Sequence, residues 1–326
     1  MATQENTQLI KPFSGPVGGS TLPGSGLVDA PISVQAPPAE KSWLAVYLDL
    51  FKARLTFLVL LTALAGFYLG SRAPMDLRLM FHAMAGTALL AAGASALNQL
   101  WEREHDGQMR RTRGRPLPSG RLEPRTVLFI GAGTSLLGLV YLTLAVNAAT
   151  AMIGAVTLAS YLFVYTPLKR LSWWNTAVGA IPGGLPPLMG WVAARGHISP
   201  EALALFGILA FWQIPHFMAI AWLYRDEYAR AGFRMLPVLD PSGRRTGRQA
   251  VAHTLVLLPL SLAPFLLRLA GPVYLAGAAT LGVLFCAFAL QFARGLTTAA
   301  ARRLFFVSVL YLPLLLGLMV LDKRAG

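Results

Sequence analysis

A single cysteine in 326 residues, Cys286, leaves no intrachain disulfide framework and no dithiol redox chemistry. Charge is scarce too. Asp, Glu, Lys and Arg make up 13% of the chain and hydrophobic residues 55%, whereas a soluble domain carries about 25% charged residues. A water-exposed surface cannot be covered at this composition, which excludes a soluble enzyme, a collagen-like chain and a wholly disordered one. Acids are the scarcer sign, 14 against 28 basic residues. None lies in the middle of a long uncharged run, which disfavours an ion-coupled pump with a midplane carboxylate.

What the chain has in abundance is uncharged length. Stretches without Asp, Glu, Lys or Arg run from Leu55 to Ser71, Leu79 to Trp101, Thr126 to Leu168, Leu171 to Ala194, Ala202 to Tyr224, Gln249 to Leu267, Leu269 to Ala293 and Leu304 to Leu321. About 20 apolar residues cross a bilayer as a helix. The third stretch is long enough for two helices with a turn near Asn147, so the expected fold is an all-α, polytopic membrane helical bundle of about nine transmembrane helices. Period-two alternation is missing, which argues against a barrel.

The net charge of +14 raises nucleic acid as a partner, but an excess of Lys and Arg in cytoplasmic loops explains it on an apolar chain, and no nucleic-acid partner is expected. With the segment before Leu55 inside, and leaving aside Lys11 in the distant tail, 21 basic residues fall on the cytoplasmic side and 6 on the other. The reading is a multi-pass protein of the cell (inner) membrane with a cytoplasmic amino terminus. Residues 1–41 lack a signal-peptide core and transit-sequence arginines and read as a disordered cytoplasmic tail, ahead of a transmembrane domain over 42–326. Between Ser42 and Ala53 a short interfacial helix, anchored by Trp43 and Tyr47, competes with an ordinary start to the first span.

The densest polar cluster follows the second span. If that helix runs on to Asp106, then Asn98, Glu102 and Asp106 share one face, because residues four apart stack along a helix. Two carboxylates and an amide oxygen, followed by Arg110, Arg111, Arg113 and Arg115, suit a Mg2+ ion shared with a diphosphate. A solvated helix end with topology-setting arginines accounts equally for the spacing. A second cluster, Tyr224 to Gly232, closes the sixth span on the same side, and the two could clamp one diphosphate between them.

The run Asn98-x-x-x-Glu102-x-x-x-Asp106-x-x-Met109-x-Arg111-Thr112-x-x-Arg115-Pro116-Leu117 resembles the first acidic motif of the intramembrane UbiA-type prenyltransferases, in the form of their haem-farnesylating branch. Tyr165 to Arg170, Gly183 to Trp191, Pro215-His216-Phe217 and Asp226 to Val238 are similar to further motifs of that family, in its order, over about residues 44 to 321. Two departures stand out: the second cluster is not the Asp-x-x-x-Asp of quinone-type members, and the usual Lys-Pro-Arg before the first span is Lys52-Ala53-Arg54.

The resemblance implies transfer of a farnesyl group from farnesyl diphosphate to a vinyl group of haem B, water completing a hydroxyethylfarnesyl side chain. It implies Mg2+ on Asn98, Glu102, Asp106 and Asp226, diphosphate on Arg110, Arg113, Lys169 and Arg170, and an active site facing the cytoplasm. Membrane lipid surrounds the enzyme, and a haem A synthase or terminal oxidase assembly is the partner that would take the product. His216 stands as a haem ligand or propionate contact on one reading and as a packed core histidine on the other. Pro182, Pro186 and Pro187 with Gly183 and Gly184 are expected to break the fifth span and shape the pocket. Quinone or chlorophyll prenyl transfer, and a transporter whose basic loops only set topology, remain the competing readings.

Overall fold

The computed structural model describes residues 42–324, and within them the uncharged stretches all become helices. In chain order these are α1 (Trp43–Leu50), α2 (Ala53–Gly70), α3 (Leu77–Asp106), α4 (Pro124–Ala145), α5 (Ala148–Ala159), a π-helical turn (Ser160–Tyr165), α6 (Thr166–Leu171), α7 (Asn175–Arg195), α8 (Pro200–Leu223), α9 (Arg225–Arg230), α10 (Leu236–Leu239), α11 (Arg244–Leu266), α12 (Pro272–Gly295) and α13 (Thr298–Leu321). Among the described residues nine helices are long and apolar enough to cross a membrane, α5 to α6 counting as one. The chain is thus a multi-pass membrane bundle. The expected tail over 1–41 lies outside the described residues.

Local chemistry sets the boundaries. Asn147 starts α5 by accepting the N–H of Thr150 at 2.8 Å, dividing the longest uncharged run where the turn was expected. Asp76 does the same for α3 through Leu79 at 2.9 Å. α3 has 30 residues, or about 45 Å at about 1.5 Å each, against about 30 Å of hydrocarbon, so its last turns project beyond the apolar layer. That overhang carries Glu102 and Asp106.

The fifth span does not break. α7 is continuous through Pro182, Pro186 and Pro187 and is the most enclosed span, with 72% of its apolar window buried. Each proline removes a donor, but Pro182 and Pro186 line an apolar cavity beside Gly183, where the backbone meets space inside the protein rather than lipid. Glycines then let α2 lie against α7. A Cβ on Gly190 would stand 1.8 Å from the Ala63 carbonyl oxygen, and one on Gly66 would stand 2.0 Å from that of Pro187. Large side chains such as Phe129 and Leu144, 75% and 82% exposed, face outward where lipid would be.

Candidate active site

The overhanging end of α3 buries the predicted stripe. Asn98, Glu102 and Asp106 are 0%, 8% and 1% exposed, as expected if the spacing of four sets them on the inward face. Each is held by one basic side chain. Lys52 Nζ donates to Asn98 Oδ1 at 2.7 Å, Lys169 Nζ to Glu102 Oε1 at 2.7 Å, and Arg115 Nη1 to Asp106 Oδ2 at 2.6 Å.

Lys52 reaches the stripe without the proline expected beside it. Gln99, one residue along from Asn98, donates to the carbonyls of Asp49 and Leu50 at 2.9 and 2.7 Å and ties the end of α1 to α3. The chain then turns through Lys52 itself, whose φ of 47° is left-handed. A lysine there costs about 1–3 kcal/mol of backbone strain, a cost that the surrounding contacts must offset. Burial, with Arg115 adding to it and Glu102 opposing, pushes the Lys52 ammonium down to about 7. Opposite, the π-helical turn ending at Tyr165 widens the fourth span just before Pro167, so that Thr166 Oγ1 accepts from Asn98 Nδ2 at 3.2 Å. Lys169 Nζ also lies 4.5 Å from the centre of the Tyr165 ring.

These groups line a cavity of about 200 Å³ that also includes Arg111, Thr112, Phe217 and Tyr228. Its lining sets three permanent cations (Arg111, Arg115, Lys169) and the partly charged Lys52 against two carboxylates, so positive charge is in excess. A second cavity of about 310 Å³ adjoins it within the bundle, between α2, α3, α5, α7 and α8, with Tyr165, Lys169 and Phe217 in the lining of both. Leu55, Leu90, Leu158 and Met189 make that second space apolar. A cationic chamber beside an apolar one has the polarity of an amphiphile with an anionic head.

Several predicted residues are not brought to this place. Arg110 and Arg113 are exposed and line neither cavity, while Arg115 and the likewise exposed Arg111 line the chamber. The segment after Asp106 is a chain of tight turns rather than a continued helix, so helical spacing does not tell which arginines point inward. Arg170 is exposed and meets His105 Nε2 at 2.9 Å. Asp226, on the six-residue α9, has a side chain 87% exposed beside Arg225 and lines neither chamber; from this cluster Tyr228 reaches it instead. His216 also lines neither. Its ring is stacked between Trp212 and Phe305, and its Nδ1 lies 2.8 Å from Ser308 Oγ on α13. On α8 the neighbours Gln213 and Phe217 take the cavity face.

Would a divalent cation suit these donors? Among the described residues no three His, Cys, Asp or Glu side chains form a closed metal cage. Glu102 and Asp106 share one chamber with the Asn98 amide, and Mg2+ commonly takes one or two carboxylates and completes its shell with substrate phosphates and water. The donor set fits that mode.

The sequence profile of the UbiA prenyltransferase family matches residues 59–310. A protoheme IX farnesyltransferase of Solibacter usitatus is 48% identical over 286 residues, covering 85% of this chain and 98% of that protein. Among solved structures, that of digeranylgeranylglyceryl phosphate synthase superposes with a TM-score of 0.74 at 18% identity, over 86% of this chain and 98% of the other. A UbiA homologue from Archaeoglobus fulgidus bound to GPP and Mg2+ superposes with a TM-score of 0.60 at 17% identity, over 84% and 99%.

Proposed function

The chain belongs to the UbiA prenyltransferase family, and we propose on that footing that it transfers the farnesyl group of farnesyl diphosphate to a vinyl group of haem B, giving haem O and diphosphate. One observation carries the chemistry: a chamber lined by four basic side chains and two carboxylates adjoins an apolar space of about 310 Å³, with Tyr165, Lys169 and Phe217 in the lining of both. The similarity to protoheme IX farnesyltransferases over nearly their full length supports haem B as the acceptor.

In the reaction the C1–O bond of farnesyl diphosphate breaks and its electron pair leaves with the diphosphate. The allylic cation is attacked by the vinyl group, and water takes up the resulting cation and releases a proton. Mg2+, held by oxygens of Glu102, Asp106 and Asn98 together with the diphosphate, would supply positive charge against the leaving group. Lys52, Arg111, Arg115 and Lys169 bind the diphosphate, and their excess charge stabilises it as it departs. They are already in place, and only the contacts of Arg115 with Asp106, Lys169 with Glu102 and Lys52 with Asn98 need exchange. Tyr165 and Phe217 line both chambers and so flank the bond that breaks. An aromatic face attracts a cation, as Lys169 over Tyr165 already shows, so the same rings suit the allylic cation. The apolar walls beyond keep stray water from it.

The active chamber lies at the end of the bundle that collects 21 of the basic residues, which supports placing it and the amino terminus on the cytoplasmic side of the cell membrane. A haem A synthase or terminal oxidase assembly is the class of partner that would receive haem O. The test is to incubate membranes containing the protein with haem B, farnesyl diphosphate and Mg2+ and to look by mass spectrometry for haem carrying farnesyl plus water. Prenylation of 4-hydroxybenzoate, with haem ignored, would overturn the acceptor assignment.

A further inference from the structure

The opposite end of the bundle carries six basic residues, Arg72, Arg78, Arg195, Arg268, Lys323 and Arg324. They are few, and they are not scattered. All but Arg78 line two adjoining cavities of about 320 and 520 Å³, which share Ser71, Arg195 and His197. Those five have no ion-pair partner among the described residues. The carboxylates nearby are committed to backbone groups and a hydroxyl. Asp76 caps α3, Asp322 accepts the N–H of Tyr274 at 2.7 Å, and Glu201 accepts the Ser199 hydroxyl. In the catalytic chamber, by contrast, Glu102 and Asp106 each neutralise a cation.

Two buried donors in the larger cavity are also unused. Trp191 is 3% exposed, and its indole N–H has no partner among the described residues; neither does the Nε of Arg195, which lies over the Trp191 ring. An unpaired buried N–H costs about 1–3 kcal/mol unless something accepts from it. Arg268 adds a third sign. It closes α11 with a φ of 59°, the left-handed position that glycine takes without strain, and its neighbour Leu269 donates back to the Pro264 carbonyl at 2.8 Å. An arginine held where glycine would be easier has its use in the side chain, which lines the cavity.

We propose that this basin binds the phosphate of an anionic phospholipid. Arginine forks match phosphate oxygens, Lys323 adds positive charge while tied to the Tyr68 and Ser71 carbonyls, and Leu69, Leu267 and Leu269 give the larger cavity an apolar side for the start of the acyl chains. The basin lies where α2, α7, α11 and α13 end and α3, α8 and α12 begin, at the level where headgroups meet a spanning bundle. None of these residues lines the catalytic chambers.

Native mass spectrometry on the full chain in detergent tests this, with phosphatidylglycerol, phosphatidylcholine and inorganic phosphate as separate probes. The wild type should retain phosphatidylglycerol in preference to phosphatidylcholine, with inorganic phosphate competing only weakly. Arg268→Gly should weaken that retention about tenfold, while its thermal unfolding midpoint and farnesyl transfer stay at the wild-type level, because glycine relieves the left-handed backbone. Arg195→Gln should lower retention likewise. Tight inorganic phosphate binding with no preference between the lipids would assign the basin to free phosphate and overturn the lipid reading. Equal retention of both lipids by wild type and both variants would remove the site.

Discussion

Replacing Asp106 by asparagine separates catalysis from folding. The carboxylate is 1% exposed and takes a 2.6 Å hydrogen bond from Arg115, whose side chain is 25% exposed. A charge-assisted hydrogen bond contributes about 1.5–3 kcal/mol, and partial exposure of the arginine puts Asp106→Asn near the lower end. Against about 5–15 kcal/mol for a folded protein, the variant should still insert and fold. Turnover should fall much further. Removing one preorganised electrostatic group from a transition state costs about 2.7–4 kcal/mol, or about 100- to 1,000-fold in rate. The assay pairs thermal unfolding in detergent with mass-spectrometric detection of farnesylated haem over a Mg2+ titration. Adding Arg115→Gln to Asp106→Asn should recover part of the lost stability, since no uncompensated guanidinium remains, while leaving turnover low. A folded Asp106→Asn protein that works within twofold of wild type at the same Mg2+ concentration would refute the role given to this carboxylate.

Gly190→Ala and Gly183→Ala should part company. A Cβ at 190 meets the Ala63 carbonyl backbone at 1.8 Å and should force α2 off α7 with a large drop in unfolding temperature, whereas at 183 it meets only the end of the Gln213 side chain at 1.9 Å, so the fold should survive and the KM for farnesyl diphosphate rise. His216→Ala should cost about 1–3 kcal/mol of stability through lost packing and leave the Soret spectrum and turnover of the folded fraction unchanged; a shifted Soret band would restore His216 as a haem contact. Asp240 tests pH linkage: burial pushes its carboxyl up, but the N–H of Thr246, the Ser242 hydroxyl and the N–H of Arg245 outweigh that and hold it below the usual range. Its stabilisation of the start of α11 is therefore complete above about pH 4 and lost as pH falls through the lowered value, so Asp240→Ala should destabilise by about 1–2 kcal/mol at pH 7 and progressively less in acid, read by parallel thermal melts.

The spans, the split at Asn147 and the inward stripe of Asn98, Glu102 and Asp106 are written in the sequence, because each rests on a local rule: apolar length, a capping side chain, a spacing of four. The choice among the arginines is not. Arg111 and Arg115 line the chamber and Arg110 and Arg113 do not, because a series of turns after Asp106 aims them, and no periodicity runs through turns. Proline content wrongly suggested a broken α7, since the helix stays continuous where its unpaired backbone lies within the packed bundle. Which side of α8 holds the cavity depends on what packs against it: α13 takes His216, and Gln213 and Phe217 are left to the chamber. Lys52 shows the division most clearly. Its charge and position before the first span are local facts, but its contact with Asn98 exists only because Gln99 fastens α1 to α3 and turns the chain back on itself.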